Sequence, residues 1–299
     1  MKTYFSILVI FSLFLFSCAE EERLTDATGV FEATEIIVSS EANGKILNLH
    51  IQEGDNLQAN QIIGLIDSTQ LHFSKLQLEA TKITVESSRP DVRAQIEATE
   101  REIAKQEQEK ERIARLLAGD VATQKQMDDI ESAILVLKAR LRSQKSSLSN
   151  SVNSVDAQSN TIDVQIAQLQ DQIEKCNIKS PIDGTVLVKY AEQGEMTGMG
   201  KALFKIADVD NMILKAYVTA DLLAKLKIGQ DVKILAEFGE TENREYNGKI
   251  TWISSKSEFT PKTIQTQDER ANLVYAVKIA TKNDGYLKIG MYGGFKMVD

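Results

Sequence analysis

Two histidines and two cysteines are all the imidazole and thiol groups the chain can offer a metal. They stand at His50, His72, Cys18 and Cys176. That inventory cannot build a usual zinc site or a Cys-His catalytic pair in one place. One cysteine near the N-terminus and one far from it imply no disulfide framework. There are three prolines in 299 residues, so long helices can run uninterrupted. Aromatic residues make up 6% against 42% hydrophobic, so any core is aliphatic and thin. Net charge is −8, which argues against a nucleic-acid partner. No nucleophile-base constellation, Gly-rich phosphate loop or metal-ligand spacing can be read. The expectation is a non-enzyme with no cofactor and no metal.

What is present begins at the N-terminus. Lys2 precedes an apolar run from Tyr4 to Phe16. It is shorter than the roughly 20 residues that span a bilayer, and it suits a secretory signal core. The run ends "LFSC", Leu15 to Cys18, which resembles a bacterial lipobox, with Leu at −3 and Ser at −1. Phe16 departs from the usual small residue at −2. The expectation is a signal peptide over 1–17 and lipidation of Cys18, which would hold the protein in the cell envelope, on the periplasmic side. The alternative is an ordinary signal peptide with an incidental cysteine. Glu20, Glu21 and Glu22 read as a solvated tether or as an acidic sorting signal, so the membrane of residence stays open between inner, the preferred one, and outer.

Residues 68–176 read as two long helices. From Leu71, every seventh residue gives Leu71, Leu78, Val85, Val92, Thr99, Gln106 and Ile113. The companion row holds Ile96, Ile103 and Leu117, but also Lys75, Lys82, Arg89 and Lys110, so this seam leaks. Pro90 predicts a kink or restart at Ser88–Pro90. The second segment runs Met127, Ile134, Leu141, Leu148, Val155, Ile162, Leu169, Cys176 at unbroken spacing. Cys176 is then a small buried seam residue. Gly119 stops the first arm, and Thr123 with Gln126 forms a capping box for the second. So short a link, with its tip at about 117–124, forces antiparallel pairing.

A repeated pattern flanks the helices. Ser40–Asp55 reads "SEANGKILNLHIQEGD" and Ser180–Glu195 reads "SPIDGTVLVKYAEQGE". Asn43-Gly44 and Asp183-Gly184 predict hairpin turns with positive φ. One copy buries too little alone, so halves at 36–67 and 177–208 should close one flattened sandwich around the inserted helices. From 209 to 299 alternating strands predict a small antiparallel barrel, with "ADLLAKLK" as a short helix. Residues 18–35 form a tether with room for a further barrel strand. "LKIGQDVKI" and "LKIGMYGGFKM" place the same Lys-Ile-Gly at two turns. The fold class is α+β and elongated.

This order resembles the haemolysin-D-type membrane fusion proteins, or periplasmic adaptors, over nearly all of the mature chain. "IKSPIDGTVLVKYAEQGE" is close to the family's most recognisable stretch. "SSRPDVRAQIEATEREI" resembles a helix restart seen in some members, and "VTADLLAKLKIGQDVKI" the start of the family's barrel. "EFTPKTIQTQDERANLVYAVKI" is similar to the subgroup that serves ABC-type exporters. The resemblance implies a split lipoyl-like domain and a ring of three or six copies. It also implies partners at both membranes: an inner-membrane ABC transporter and a TolC-like outer-membrane channel. The "MKM" or "DKA" modification sequences of true lipoyl and biotinyl domains do not occur, and Lys201 reads as a loop charge. Rivals are an adaptor of a proton-driven pump, against which the short C-terminus speaks, and an envelope scaffold. In channel-docking members the tip carries Arg, Leu four residues on and Ser seven further. Arg112, Leu116 and Thr123 match that spacing, with Thr for Ser. The bland alternatives are a solvated charge, a seam residue and an N-cap.

Overall fold

The computed structural model describes residues 25–238, 242–258 and 273–298. The expected lipidation site and the expected signal peptide fall outside these residues, as does most of the stretch that carries the exporter-subgroup likeness. Among the described residues, strands β1 (Ala27–Ser39), β2 (Gly44–Leu49), β3 (Asn56–Leu57) and β4 (Ile62–Ile66) precede helices α1 (Thr69–Ser87), α2 (Val92–Ala118) and α3 (Gln124–Lys175). Strands β5 (Asn177–Lys179), β6 (Gly184–Lys189), β7 (Met196–Thr197) and β8 (Ala202–Thr219) follow, then α4 (Ala220–Leu223). The chain closes with β9 (Asp231–Phe238), β10 (Glu242–Ile253), β11 (Val274–Lys282) and β12 (Tyr292–Met297).

The two sequence copies close one sandwich around a pseudo-twofold axis. Each short strand pairs with the other copy: β2 with β7 and β6 with β3. The hydrogen bonds repeat at an offset of 140 residues, the distance from Gly44 to Gly184. Gly54 N–H donates to the Val186 carbonyl and Gly194 N–H to that of Ile46, both at 2.8 Å. Gly54 and Gly194 have φ of 95° and 93°, so these turns need glycine. The joint core is aliphatic, centred on Ile46, Ile66, Val186, Leu203 and Ile206, with Phe204 its one large ring.

The expected turns with positive φ at both residues of Asn43-Gly44 and Asp183-Gly184 are not formed, although Gly44 itself has φ 155°. Neither Asn43 nor Asp183 has positive φ. Their side chains instead cap the opposite copy: Asp183 Oδ1 accepts from Ala59 N at 2.8 Å and Asn43 Oδ1 from Met199 N at 3.0 Å. Gly184 is required by close approach, since a Cβ there would stand 2.4 Å from the Ala207 carbonyl oxygen.

The barrel is a closed ring of six strands, β1-β12-β9-β10-β11-β8, sealed by the β1–β8 pairing. It too is internally repeated. The twin Lys-Ile-Gly turns bond alike: Gly229 N–H to the Ile250 carbonyl and Gly290 N–H to that of Phe31, both at 2.8 Å. Strand β1, from Ala27, supplies the sixth strand. No loop separates barrel from sandwich, because β1 and β8 run unbroken through both. Their pairing shifts between Glu32↔Ile213 and Thr34↔Asp208, a bulge whose turn is held by Asp208 accepting from Asn211 N at 3.1 Å.

The helices form as the heptads require. Ile96 and Ile103 of α2 and Ile130, Ile134, Val155, Ile162 and Ile173 of α3 are the buried apolar residues along these helices. α1 stops at Ser88, and Asp91 restarts α2 by accepting from Ala94 N at 3.0 Å. The leak in the seam is matched by polar partners. Lys82 Nζ donates to Asp163 at 2.6 Å, Thr99 Oγ1 to Gln144 at 2.9 Å and Ser159 Oγ to Glu86 at 3.0 Å. Cys176 closes α3 fully buried, and burial, with the nearby Asp67 charge, pushes its thiol above the ordinary value.

Candidate docking surface at the hairpin tip

The 52 residues of α3 place the tip roughly 78 Å from the sandwich, at 1.5 Å per residue. α2 ends at Gly119, and Asp120 takes the left-handed conformation with φ 55°. The Leu116 carbonyl gathers the turn, accepting from the N–H groups of Gly119, Val121 and Ala122 at 3.2, 2.9 and 3.3 Å. Thr123 then starts α3 with the full capping box, its N–H donating to Gln126 Oε1 at 2.8 Å.

Arg112 and Leu116 lie one turn apart on α2, and Thr123 follows across the link. The Arg112 side chain is 66% exposed, with Glu109 at 3.5 Å as its ion-pair partner. Leu116 is 37% exposed while Leu117 turns into the seam. The Thr123 hydroxyl is engaged in the cap. One further residue belongs to this surface. Val121 is 75% exposed at the apex of the turn. Its signal in the sequence is a lone β-branched apolar residue inside a turn of small and polar ones. The tip thus presents two apolar side chains beside a cation. Such a surface can dock on a protein but offers no bond-making chemistry.

Elsewhere, a cleft of about 730 Å³ at the hairpin base is lined by Lys45, Asp67, Gln70, Met196 and Met199. Lys201 donates to Glu195 at 3.2 Å and to the Met196 carbonyl at 3.1 Å, tying down its own turn. Among the described residues no cluster of three or more His, Cys, Asp or Glu could hold a metal, and no helix is long and apolar enough to cross a membrane.

Comparison with known proteins agrees with this architecture. Residues 34–208, more than half of the chain, match the family model described as CzcB-like, barrel-sandwich hybrid domain. The UPF0194 membrane protein in the asrC 5' region of Acidithiobacillus ferridurans is 22% identical, covering 90% of this chain and 86% of that protein. The UPF0194 membrane protein YbhG of Salmonella typhi is 24% identical, covering 88% and 85%. Among solved structures, MacA from Actinobacillus actinomycetemcomitans superposes with a TM-score of 0.55 at 20% identity, over 90% of this chain and 76% of that one. The membrane fusion protein Spr0693 from Streptococcus pneumoniae R6 gives 0.53 at 17% identity, over 90% and 97%. With its split sandwich, inserted hairpin and following barrel, the chain belongs to the membrane fusion, or periplasmic adaptor, proteins that carry the CzcB-like barrel-sandwich hybrid domain, a family of adaptors and not of enzymes.

Proposed function

We propose that this chain is a lipid-anchored adaptor, held through Cys18, that joins an inner-membrane ABC-type exporter to a TolC-like outer-membrane channel. Several copies surround the conduit as a closed ring of three or six, because one hairpin encloses nothing. The barrel end, where the chain enters at Thr25, faces the inner membrane and its transporter. The hairpin tip meets the channel through Arg112, Leu116 and Thr123, with Val121 beside them.

The observation that carries this reading is the tip. Leu116 and Val121 are exposed next to Arg112 at the far end of a stalk much longer than folding requires. The ABC-type partner rests on the likeness of the Glu258–Ile279 stretch to exporter-associated members. An adaptor of a proton-driven pump is the second reading within the same architecture. A scaffold that only spaces membranes is a third.

Site-specific photocrosslinking from Ala118 and Gln124, with Ser146 as control, tests the proposal in intact cells. A channel adduct from the tip positions, absent at Ser146 and lost in Arg112→Asp, is the expected result. No channel adduct, with export unaffected by deletion of the gene, returns the three residues to ordinary helix-end duties.

A further inference from the structure

The outer wall of the barrel holds two lysines face to face. Lys278 on β11 stands directly opposite Lys215 on β8. Like charges opposite each other on antiparallel strands are destabilising. Among the described residues neither lysine enters an ion pair. Glu32 and Glu258 act on Lys215 only from longer range. Each lysine lies instead over an aromatic ring, Lys278 at 5.7 Å from the centre of Trp252 and Lys215 at 5.6 Å from that of Tyr217. Elsewhere the chain behaves differently. In the hairpin and the sandwich most lysines are paired, from Lys75 with Glu79 to Lys205 with Glu35.

Apolar side chains gather beside this pair. Trp252, the chain's single tryptophan, is 42% exposed. Gly229 N–H donates to the Ile250 carbonyl at 2.8 Å, which sets Ile228 beside β10, close to Trp252 along the strand. Ile228 is 66% exposed. Leu273, 48% exposed, leads into Val274, which lies opposite Thr219, two residues beyond Tyr217. The loops here add Lys227 and Lys256, both exposed, and their acids are Asp221 and Glu258. Exposed apolar residues gathered in one place mark an interaction surface.

All of these residues belong to one end of the barrel. Tyr217 pairs with Thr28 of β1, so this is the end at which the chain enters. Cys18 stands ten residues before Thr28, and a lipid there holds this corner within roughly 35 Å of a bilayer. Composition then selects the partner. The centres of protein interfaces are depleted in lysine. A bilayer surface favours Trp and Tyr at the headgroup level, and it suits lysines whose stems lie on apolar neighbours while their heads reach phosphate. Anionic headgroups also supply the countercharge that Lys215 and Lys278 lack.

We infer that this corner of the barrel lies directly on the surface of a bilayer that contains anionic phospholipid. Trp252, Ile228 and Leu273 sit among the headgroups, and Lys215 and Lys278 bind their phosphates. This rests on the proposal that the Thr25 end faces the membrane, and it makes lipid itself a partner of the barrel.

The test reads Trp252 directly, since its fluorescence is the chain's only tryptophan signal. The full chain is returned from detergent to vesicles of phosphatidylcholine, or of equal parts phosphatidylcholine and phosphatidylglycerol, with and without lipid brominated on its acyl chains. In the anionic vesicles the emission should shift to the blue and be quenched by brominated lipid, and in the neutral ones much less. Lys215→Gln with Lys278→Gln should lose most of that quenching, with circular dichroism unchanged. No quenching in anionic vesicles, equal quenching in both, or quenching that survives the double variant overturns the assignment. So does a Trp252 shielded from acrylamide in native membranes yet unquenched in pure lipid, which places a protein there. Flotation with neutral vesicles reads the anchor separately. A chain that floats with Trp252 unquenched in anionic lipid loses this inference and keeps the anchor. One that does not float, yet is quenched by anionic vesicles, keeps this inference and loses the anchor.

Discussion

The carboxylate of Asp183 accepts a hydrogen bond at 2.8 Å from the backbone N–H of Ala59, 124 residues earlier in the chain. Asn43 makes the same bond to Met199 in the other half, at 3.0 Å. The pair shows how two short repeats, separated by the entire hairpin, hold one sandwich closed. Asp183→Ala should lower stability by about 1 kcal/mol, as loss of a solvent-exposed cap does. Asp183→Asn should retain most of it. Urea denaturation of the two variants checks the difference.

Gly184 and Gly54 are glycines for different physical reasons. At Gly184 a Cβ would meet the Ala207 carbonyl oxygen at 2.4 Å, so Gly184→Ala should cost about 2–4 kcal/mol by forcing two strands apart. At Gly54 no atom lies within 4 Å but φ is 95°. Gly54→Ala should cost only about 1–2 kcal/mol, the ordinary left-handed penalty. Melting temperatures of the two variants give the order directly.

Thr99 and Gln144 meet in the seam at 2.9 Å, where an apolar pair would pack. Thr99→Leu alone strands the Gln144 amide and should destabilise the hairpin by about 1 kcal/mol. Thr99→Leu with Gln144→Leu should be neutral or stabilising, because both polar groups are then removed. A double-mutant cycle on the thermal transition reads the coupling.

Thr123 serves both the cap and the proposed dock, and two substitutions separate them. Thr123→Ala removes the capping oxygen and should cost about 1 kcal/mol of hairpin stability. Thr123→Ser keeps the cap and should keep channel crosslinking from Ala118. Val121→Ser should leave the fold untouched and reduce that crosslinking, since the side chain is exposed.

Cys176 reports opening of the hairpin base. Its thiol is held above the ordinary value by burial first and by Asp67 second. Above the unfolded value of about 8.5, the unfolded thiol ionises while the folded one does not, so this group's contribution to stability falls as pH rises. Alkylation of native protein at pH 8 should therefore be slow, and urea should accelerate it sharply. Asp67→Asn should move the onset of native labelling to lower pH.

Much of this architecture is legible in the residues. Heptads fixed the helices because burial of one stripe is a strong, local, periodic signal. Pro90 marked the restart, and Thr123 with Gln126 marked the cap. The misread turns at Asn43-Gly44 and Asp183-Gly184 show the limit. The same dipeptides serve a tight turn or a side-chain cap, and only the opposite copy, distant in sequence, decides which. The polar seam residues looked like leaks because each arm was read alone. At the tip, the candidate residues Arg112 and Leu116 come from the spacing seen in the resembling family, and their docking role is a proposal. Val121 was not legible, because nothing periodic singles out a turn residue.

β1 and β8 cross from barrel to sandwich without a linker, and this has a mechanical meaning. A hinge would let the barrel swivel freely and lose any rotation imposed from below. Two antiparallel strands bonded on both sides of the bulge behave as a torsion bar instead. Turning of the barrel is carried upward as twist, with give concentrated in the few residues between Asp208 and Ile213. A movement at the barrel can thus reach the hairpin without either unit changing its core.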